Sequence, residues 1–269
     1  MDRLKGRVAI VTGAGQGIGA GVARALAAEG AAVVIANRTA ETGREVAAGI
    51  ERDFGATGAK ALFVATDVAN EKSVRATVET TVAELGGVDI LVNNAVPTGG
   101  DGGGTRLENL SLEKIEEHVR VNYYGTFWGM QAVFPHMRKQ QWGRIITMCS
   151  LNGVNAHRHT ATYNSSKEAA RALTRTAAVE WAKHGITCNV ICPFAATPSW
   201  DRLVEFVPES AASILSFNPM GRPGDSEADV GPLATFLASD ESRYITGNTI
   251  HADGGGHING VPFSFELPD

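Results

Sequence analysis

Apolar residues fall along the chain in two alternating patterns. Short, nearly unbroken runs at Val8–Thr12, Ala32–Asn37, 61–67, 89–93, 144–149, 187–192 and Thr249–Ala252 read as strands. A strand covered on both faces needs such a run, because successive side chains point to opposite sides of the sheet. Between the runs lie longer, Ala-rich stretches whose apolar positions recur every three or four residues. Ala23, Leu26 and Ala27 make one such face within 19–29, Val74, Val78, Val82 and Leu85 make another, and 160–184 reads as one long helix. The alternation predicts an α/β fold, a doubly wound parallel sheet with helices on both faces.

Nothing divides the chain, so 1–269 reads as a single domain. A glycine-rich stretch at 98–105 should be a flexible loop at the C-terminal edge of the sheet. A long connection at 194–225 carries Pro198, Pro208, Pro219 and Pro223, and the tail 254–269 reads as irregular. Charge narrows the partners. With 24 Lys+Arg against 29 Asp+Glu and no block of like charge, the footprint of a nucleic-acid binder is missing. Hydrophobic residues at 43% and charged ones at 20% argue against disorder. Cys149, Cys188 and Cys192 form neither a disulfide framework nor a zinc spacing. His157 and His159 are the one close histidine pair and have no nearby carboxylate, so no metal site is read. The first residues are polar, and no apolar run approaches a membrane span. The expectation is a soluble, cytoplasmic protein acting on a small molecule.

The first chemical signal is Thr12-Gly13-Ala14-Gly15-Gln16-Gly17-Ile18-Gly19, between the first strand and the first helix. Glycines there let a pyrophosphate approach the main chain, and a helix N-terminus offers N–H groups and a positive dipole end. Gly13, Gly15, Gln16, Gly17, Ile18 and Gly19 are therefore candidate dinucleotide contacts; the plainer reading is a tight turn. The second strand ends Asn37-Arg38, where an acidic residue would accept from a ribose 2′-OH. An uncharged Asn37 beside a guanidinium favours a 2′-phosphate, hence NADP(H) over NAD(H). Arg38 as a solvated loop residue and Asn37 as a turn former is the alternative. Asp67 and Val68 end the third strand and are placed to meet adenine, although Asp67 or Asn70 also suits a helix cap.

The second signal is Tyr163-Asn164-Ser165-Ser166-Lys167. A spacing of four puts Tyr163 and Lys167 on one helix face, one turn apart. An ammonium beside a phenol favours the tyrosinate, and a Tyr moved toward neutral pH can donate and accept a proton. Ser150 ends the fifth strand, where a hydroxyl can hydrogen-bond a reacting carbonyl oxygen. Asn122 follows Ile115 and Val119 on an apolar helix face, and a buried amide needs partners. Each residue alone has a structural explanation. Thr12, Gly13, Asn37, Asp67, Asn94, Ser150 and Pro193 nevertheless all lie at strand C-termini, the edge where open α/β sheets bind ligands.

With these residues the chain resembles the short-chain dehydrogenase/reductase family from about Gly6 to Gly255. The matching motifs are the turn at 12–19, Asp67, Asn93-Asn94-Ala95, Asn122, Ser150, Tyr163 with Lys167, and Asn189-Val190-Ile191-Cys192-Pro193. Phe236 to Asp240, Ile245-Thr246-Gly247 and Asp253-Gly254-Gly255 also match. The resemblance implies a single Rossmann domain of seven parallel strands in the order 3-2-1-4-5-6-7, and a homotetramer or dimer. It implies that Tyr163 is proton donor and acceptor, and that Lys167 binds the nicotinamide ribose and tunes Tyr163. Ser150 would orient substrate and Asn122 would hold a relay water. Asn94, Pro193 and Thr197 fall at cofactor positions. Two departures stand out: Val96 replaces a glycine, and Phe194 takes a glycine's place in a segment one residue short before Thr197. The Tyr–Lys spacing is of the ketoreductase type, unlike the longer spacing of enoyl reductases.

The candidate pocket walls are 96–106, 151–157 and 194–217, with Phe194, Trp200, Phe206 and Phe217 making a largely apolar cavity. Asn152, Asn155 and His157 would add polarity, with His157 read as a loop residue before a second acid/base. The expected function is hydride transfer between NADP(H) and a bulky or cyclic carbonyl or secondary alcohol. Its alternatives are an NAD(H)-dependent alcohol dehydrogenase and an inactive nucleotide-binding sensor or assembly subunit.

Overall fold

The computed structural model describes residues 2–97 and 104–258. Its strands are β1 (Val8–Thr12), β2 (Ala32–Asn37), β3 (Ala61–Ala65), β4 (Ile90–Asn93), β5 (Gly143–Met148), β6 (Ile186–Pro193) and β7 (Thr249–Ala252). The helices are α1 (Gly17–Ala28), α2 (Ala40–Phe54), α3 (Glu71–Leu85), α4 (Leu112–His118), α5 (Gly125–Gln140), α6 (Leu151–Val154), α7 (Ala161–Trp181), α8 (Pro198–Phe206), α9 (Pro208–Phe217) and α10 (Gly231–Ala238). All strands pair in parallel, in the order β3-β2-β1-β4-β5-β6-β7. The chain therefore reverses direction across the sheet between β1 and β4, where Val11 pairs with Ile35 on one side and Val92 on the other.

The unbroken apolar runs have the cause anticipated for them. Ala9 and Val11 of β1, with Val33 and Ile35 of β2, pack on one face beneath Val22 and Leu26 of α1 and Ala234 and Leu237 of α10. Ile10, Val34 and Leu91 pack on the other, beneath Val78 of α3 and Met130, Val133 and Met137 of α5. Each strand thus feeds two cores by its period of two.

No helix is expected from the sequence within the connection 194–225, and the long helix is expected to run to 184; the structure differs on both. The connection carries α8 and α9. Pro198 and Pro208 each stand in a first helical turn, where a missing N–H breaks no helical bond. The long helix also ends at Trp181, and a tighter turn over Ala182–His184 leads to Gly185 at φ 70°. Most of the glycine-rich loop, at 98–103, and the tail beyond 258 lie outside the described residues.

Candidate active site

The switch point is laced by two side chains. Thr12 Oγ1 donates to the Val92 carbonyl at 3.2 Å and accepts from the N–H groups of Asn94 (2.9 Å) and Ala95 (3.2 Å). The Asn94 amide donates back to the carbonyls of Thr12 (2.9 Å) and Gly13 (3.2 Å). Asn94 therefore ties β4 to the glycine turn. Thr12 shares that task, a role its position in the motif hinted at without specifying. Beside them lies a small crevice whose lining includes Thr12, Val68, Asn94, Ala95 and Val121.

Helix α1 begins at Gly17, whose φ is 53°, and Gln16 at its N-cap makes no side-chain bond to the first turn. The N–H groups of Gly17, Ile18 and Gly19 form that turn. A β-carbon on Gly17 would lie 3.4 Å from Thr197 Cγ2, so Thr197 does stand over the turn despite the shortened segment before it. Thr197 also caps α8 by accepting from Trp200 N at 3.2 Å. At the end of β2 the Asn37 amide is engaged with Thr39 O (2.8 Å) and Thr42 Oγ1 (3.1 Å), the turn-forming role, while Arg38 is exposed. Asp67 accepts from Ala69 N, and Asn70 caps α3 by accepting from Lys72 and Ser73. Val68 lies against α5, where a β-carbon on Gly125 would come within 2.9 Å of its carbonyl. Val96 turns outward and is exposed; it is Ala95 that faces Gly13.

The chemical residues converge around α7. Lys167 is 3% exposed and donates to the Met148 carbonyl at 2.7 Å. Burial holds its ammonium below the ordinary lysine range. Its Nζ lies 5.7 Å from the centre of the half-buried Tyr163 ring. Ser150 begins α6 as its N-cap and accepts from Asn152 N at 3.2 Å, which leaves the hydroxyl hydrogen free to donate. Asn122 is buried in a π-helical segment, Val119–Tyr124, a geometry often found at functional sites. Its amide donates to Ser166 Oγ at 3.0 Å, and its main-chain carbonyl accepts from Thr126 Oγ1 at 2.7 Å. Asn122 Oδ1 is buried with no hydrogen-bond partner among the described residues.

The loop between α6 and α7 is pinned to the first turn of α7. Asn164 Nδ2 and Thr160 Oγ1 both donate to the His157 carbonyl, at 2.9 and 3.1 Å. Ala156 and His159 adopt φ of 51° and 64°, strain held in place by these bonds. Asn164 had no role in the reading of the sequence, although a polar side chain in the first turn of the motif helix was the available signal. Burial lowers His157 to a pKa of about 4, so the ring is neutral at neutral pH. The thiols of Cys149 and Cys192 are pushed up to about 12 by burial and stay protonated. Across the site Phe194 and Trp200 pack edge to face, with ring centres 5.2 Å apart. Phe206 and Phe217 are exposed and close no wall in this conformation, which corrects the expectation that all four line one cavity. The described residues hold no cluster fit to bind a metal ion, and no helix among them is long and apolar enough to cross a membrane.

A parallel sheet with a glycine-led helix at its switch point, and a Ser, Tyr and Lys drawn together at the same edge, defines a Rossmann-type oxidoreductase. Comparison with known proteins takes this further. Residues 13–257 match the family profile described as Enoyl-(Acyl carrier protein) reductase. The chain is 38% identical over 253 residues to the short-chain reductase protein NovJ of Streptomyces niveus, spanning 92% of this chain and 93% of that one. It is 34% identical over 261 residues to a 12α-hydroxysteroid dehydrogenase of a Clostridium species, spanning 95% and 98%. The crystal structure of levodione reductase superposes with a TM-score of 0.89 at 29% identity, covering 96% of this chain and all of that one. The protein belongs to the short-chain dehydrogenase/reductase family, oxidoreductases of hydroxyl and carbonyl groups.

Proposed function

We propose that the protein interconverts a secondary alcohol and its ketone, using NADP(H), with a bulky or cyclic substrate. The observation that carries this reading is the placement of Lys167 Nζ 5.7 Å from the Tyr163 ring while one of its three donors is held by Met148 O. In the direction of reduction Tyr163 Oη donates its proton to the carbonyl oxygen, and Ser150 Oγ–H donates a hydrogen bond to the same oxygen. Lys167 lends its charge to the tyrosinate that remains and keeps two N–H donors for a ribose and a water. Asn122 Oδ1, the buried acceptor left open, is the seat for that water. The nicotinamide cofactor, when bound, supplies the hydride that reaches the carbonyl carbon.

The residues fit such a group. Helix α1 presents an uncapped N-terminus, and Thr197 stands over it. The preference for NADP(H) rests on Arg38: the Asn37 amide is consumed by its own turn, so the guanidinium is the charged group at the end of β2. Phe194 and Trp200 support an apolar substrate face, and the relative named for hydroxysteroids is consistent with a bulky one. A panel of cyclic and linear ketones, followed at the reduced-nicotinamide absorbance with both cofactors, tests the reading. Turnover of cyclic ketones with NADPH, abolished in Tyr163→Phe, is the expected result. Activity confined to short linear alcohols removes the substrate class, and an unimpaired, folded Tyr163→Phe removes the mechanism.

A further inference from the structure

Helix α4 lies almost wholly at the surface; within Leu112–His118 only His118 is buried. Burying an imidazole takes polar ring atoms out of water, a cost that leucine at the same anchoring position would avoid. Its surroundings explain the choice. The His118 ring lies edge to face with Tyr163, centroids 6.3 Å apart and planes at 89°. In the π-helical segment that continues α4, Asn122 donates to Ser166 Oγ, and Ser166 donates to the Tyr163 carbonyl, each at 3.0 Å. One helical stretch thus reaches Tyr163 at two points: at its ring through His118, and at its main chain through Asn122 and Ser166.

We propose that His118 is a positioning residue for Tyr163. Its imidazole fixes the plane of the phenol ring, and with it the plane in which the O–H bond reaches toward the substrate oxygen, while the Asn122–Ser166 pair fixes the backbone beneath. Edge-to-face ring pairs have a preferred geometry of their own, and proton transfer is sensitive to small displacements of the acid. The proposal rests on the reading of Tyr163 as the proton donor.

The test has a readout that needs neither cofactor nor turnover. Protein labelled with ¹³C at the tyrosine ε positions is examined by NMR, with the Tyr163 signal assigned by its loss in Tyr163→Phe. In His118→Leu the Tyr163 ring should flip faster. In the same variant kcat should fall about tenfold while KM for carbonyl and cofactor stays within about twofold, as expected for losing one aromatic pair that orients an acid. His118→Phe, which keeps a ring, should restore both readouts; His118→Gln, which keeps polarity alone, should not. Unchanged ring motion and kcat in His118→Leu overturn the proposal, and so does rescue by Gln in place of Phe. If the leucine variant does not fold, the contrast between Phe and Gln decides by the same criterion. Should Tyr163→Phe itself keep full activity, the reading of Tyr163 fails, while the ring-flip measurement still reports on the contact.

Discussion

Lys167→Met replaces an ammonium with a thioether of similar length, and two energies change. The first concerns the fold. The side chain is 3% exposed and burial already disfavours its charge, so an apolar replacement relieves that cost. Against this, the Met148 carbonyl loses its 2.7 Å donor, a loss of about 1–3 kcal/mol. The two oppose, and the melting transition should move little. The second energy concerns the chemistry. Two unit charges at the 5.7 Å that separates Nζ from the Tyr163 ring centre attract by about 3 kcal/mol at an effective dielectric constant of about 20. That attraction acts on the tyrosinate and not on the phenol, and corresponds to about two units on the pH scale. In the proposed mechanism alcohol oxidation needs the tyrosinate as base, so its rate climbs with pH. Without the cation that climb should move about two units toward alkaline pH, and kcat at neutral pH should fall about a hundredfold. The assay is kcat for oxidation from pH 6 to 10 at saturating cofactor, beside calorimetric melting of both proteins. A rate lowered evenly at every pH, with the climb unmoved, would show that Lys167 serves binding alone and would refute the electrostatic argument.

Arg38→Ala should raise KM for NADPH about tenfold, the worth of one charge-assisted hydrogen bond, and leave KM for NADH unchanged; equal changes for both remove Arg38 from the 2′-phosphate. His157 makes a prediction for pH and stability. Its native pKa of about 4 lies below the ordinary 6.5, so between those values the unfolded chain binds the proton more readily. The stability tied to the neutral ring is complete above pH 6.5 and is lost as pH falls toward 4. The melting temperature of the wild type should drop across that window more steeply than that of His157→Asn, and parallel curves would count against a buried neutral imidazole.

The sheet was legible in the sequence because burial on both faces leaves few polar positions to blur a strand, and those present, such as Arg144 and Asn189, are single interruptions in apolar runs. Strand ends were less so, for they depend on turn chemistry across the chain. β3 stops at Ala65 because the Thr66 hydroxyl turns back to the Val64 carbonyl and Asp67 N is taken by Ser73. No helix start was read at Pro198 and Pro208, because proline breaks a helix interior and starts a helix equally well; only the three-dimensional neighbours decide which. Asn122, Ser150, Tyr163 and Lys167 could be nominated as candidates because strand ends and helical spacing are local properties. His118 could not, since its partner is distant in sequence and no periodicity links α4 to α7. The π-helical segment that follows His118 and holds Asn122 was equally hidden, because no spacing of residue types marks it.

The glycine turn shows how a motif can point to a ligand for reasons that are only partly the ligand's. A β-carbon on Gly13 would come within 2.8 Å of Ala95 Cα, one on Gly15 within 2.3 Å of Asn37 Nδ2, and one on Gly19 within 2.5 Å of both Asn94 Nδ2 and the Gly13 carbonyl. Gly13 and Gly19 are closed to side chains by backbone, and at Gly15 a side chain would have to displace the Asn37 amide from its turn. These three glycines let β1, β2 and β4 bring Asn37, Asn94 and Ala95 against one turn, which builds the switch-point crevice before any phosphate enters it. Gly17 differs. Its nearest outside neighbour would be Thr197 Cγ2 at an ordinary 3.4 Å, and what restricts it is its φ of 53° at the head of an uncapped helix. The motif therefore divides between construction and recognition. Gly13, Gly15 and Gly19 are demanded by the crossing of strands and loops. Gly17 sits where the chain turns its first helical N–H groups toward the open edge, and the claim for an anion rests there.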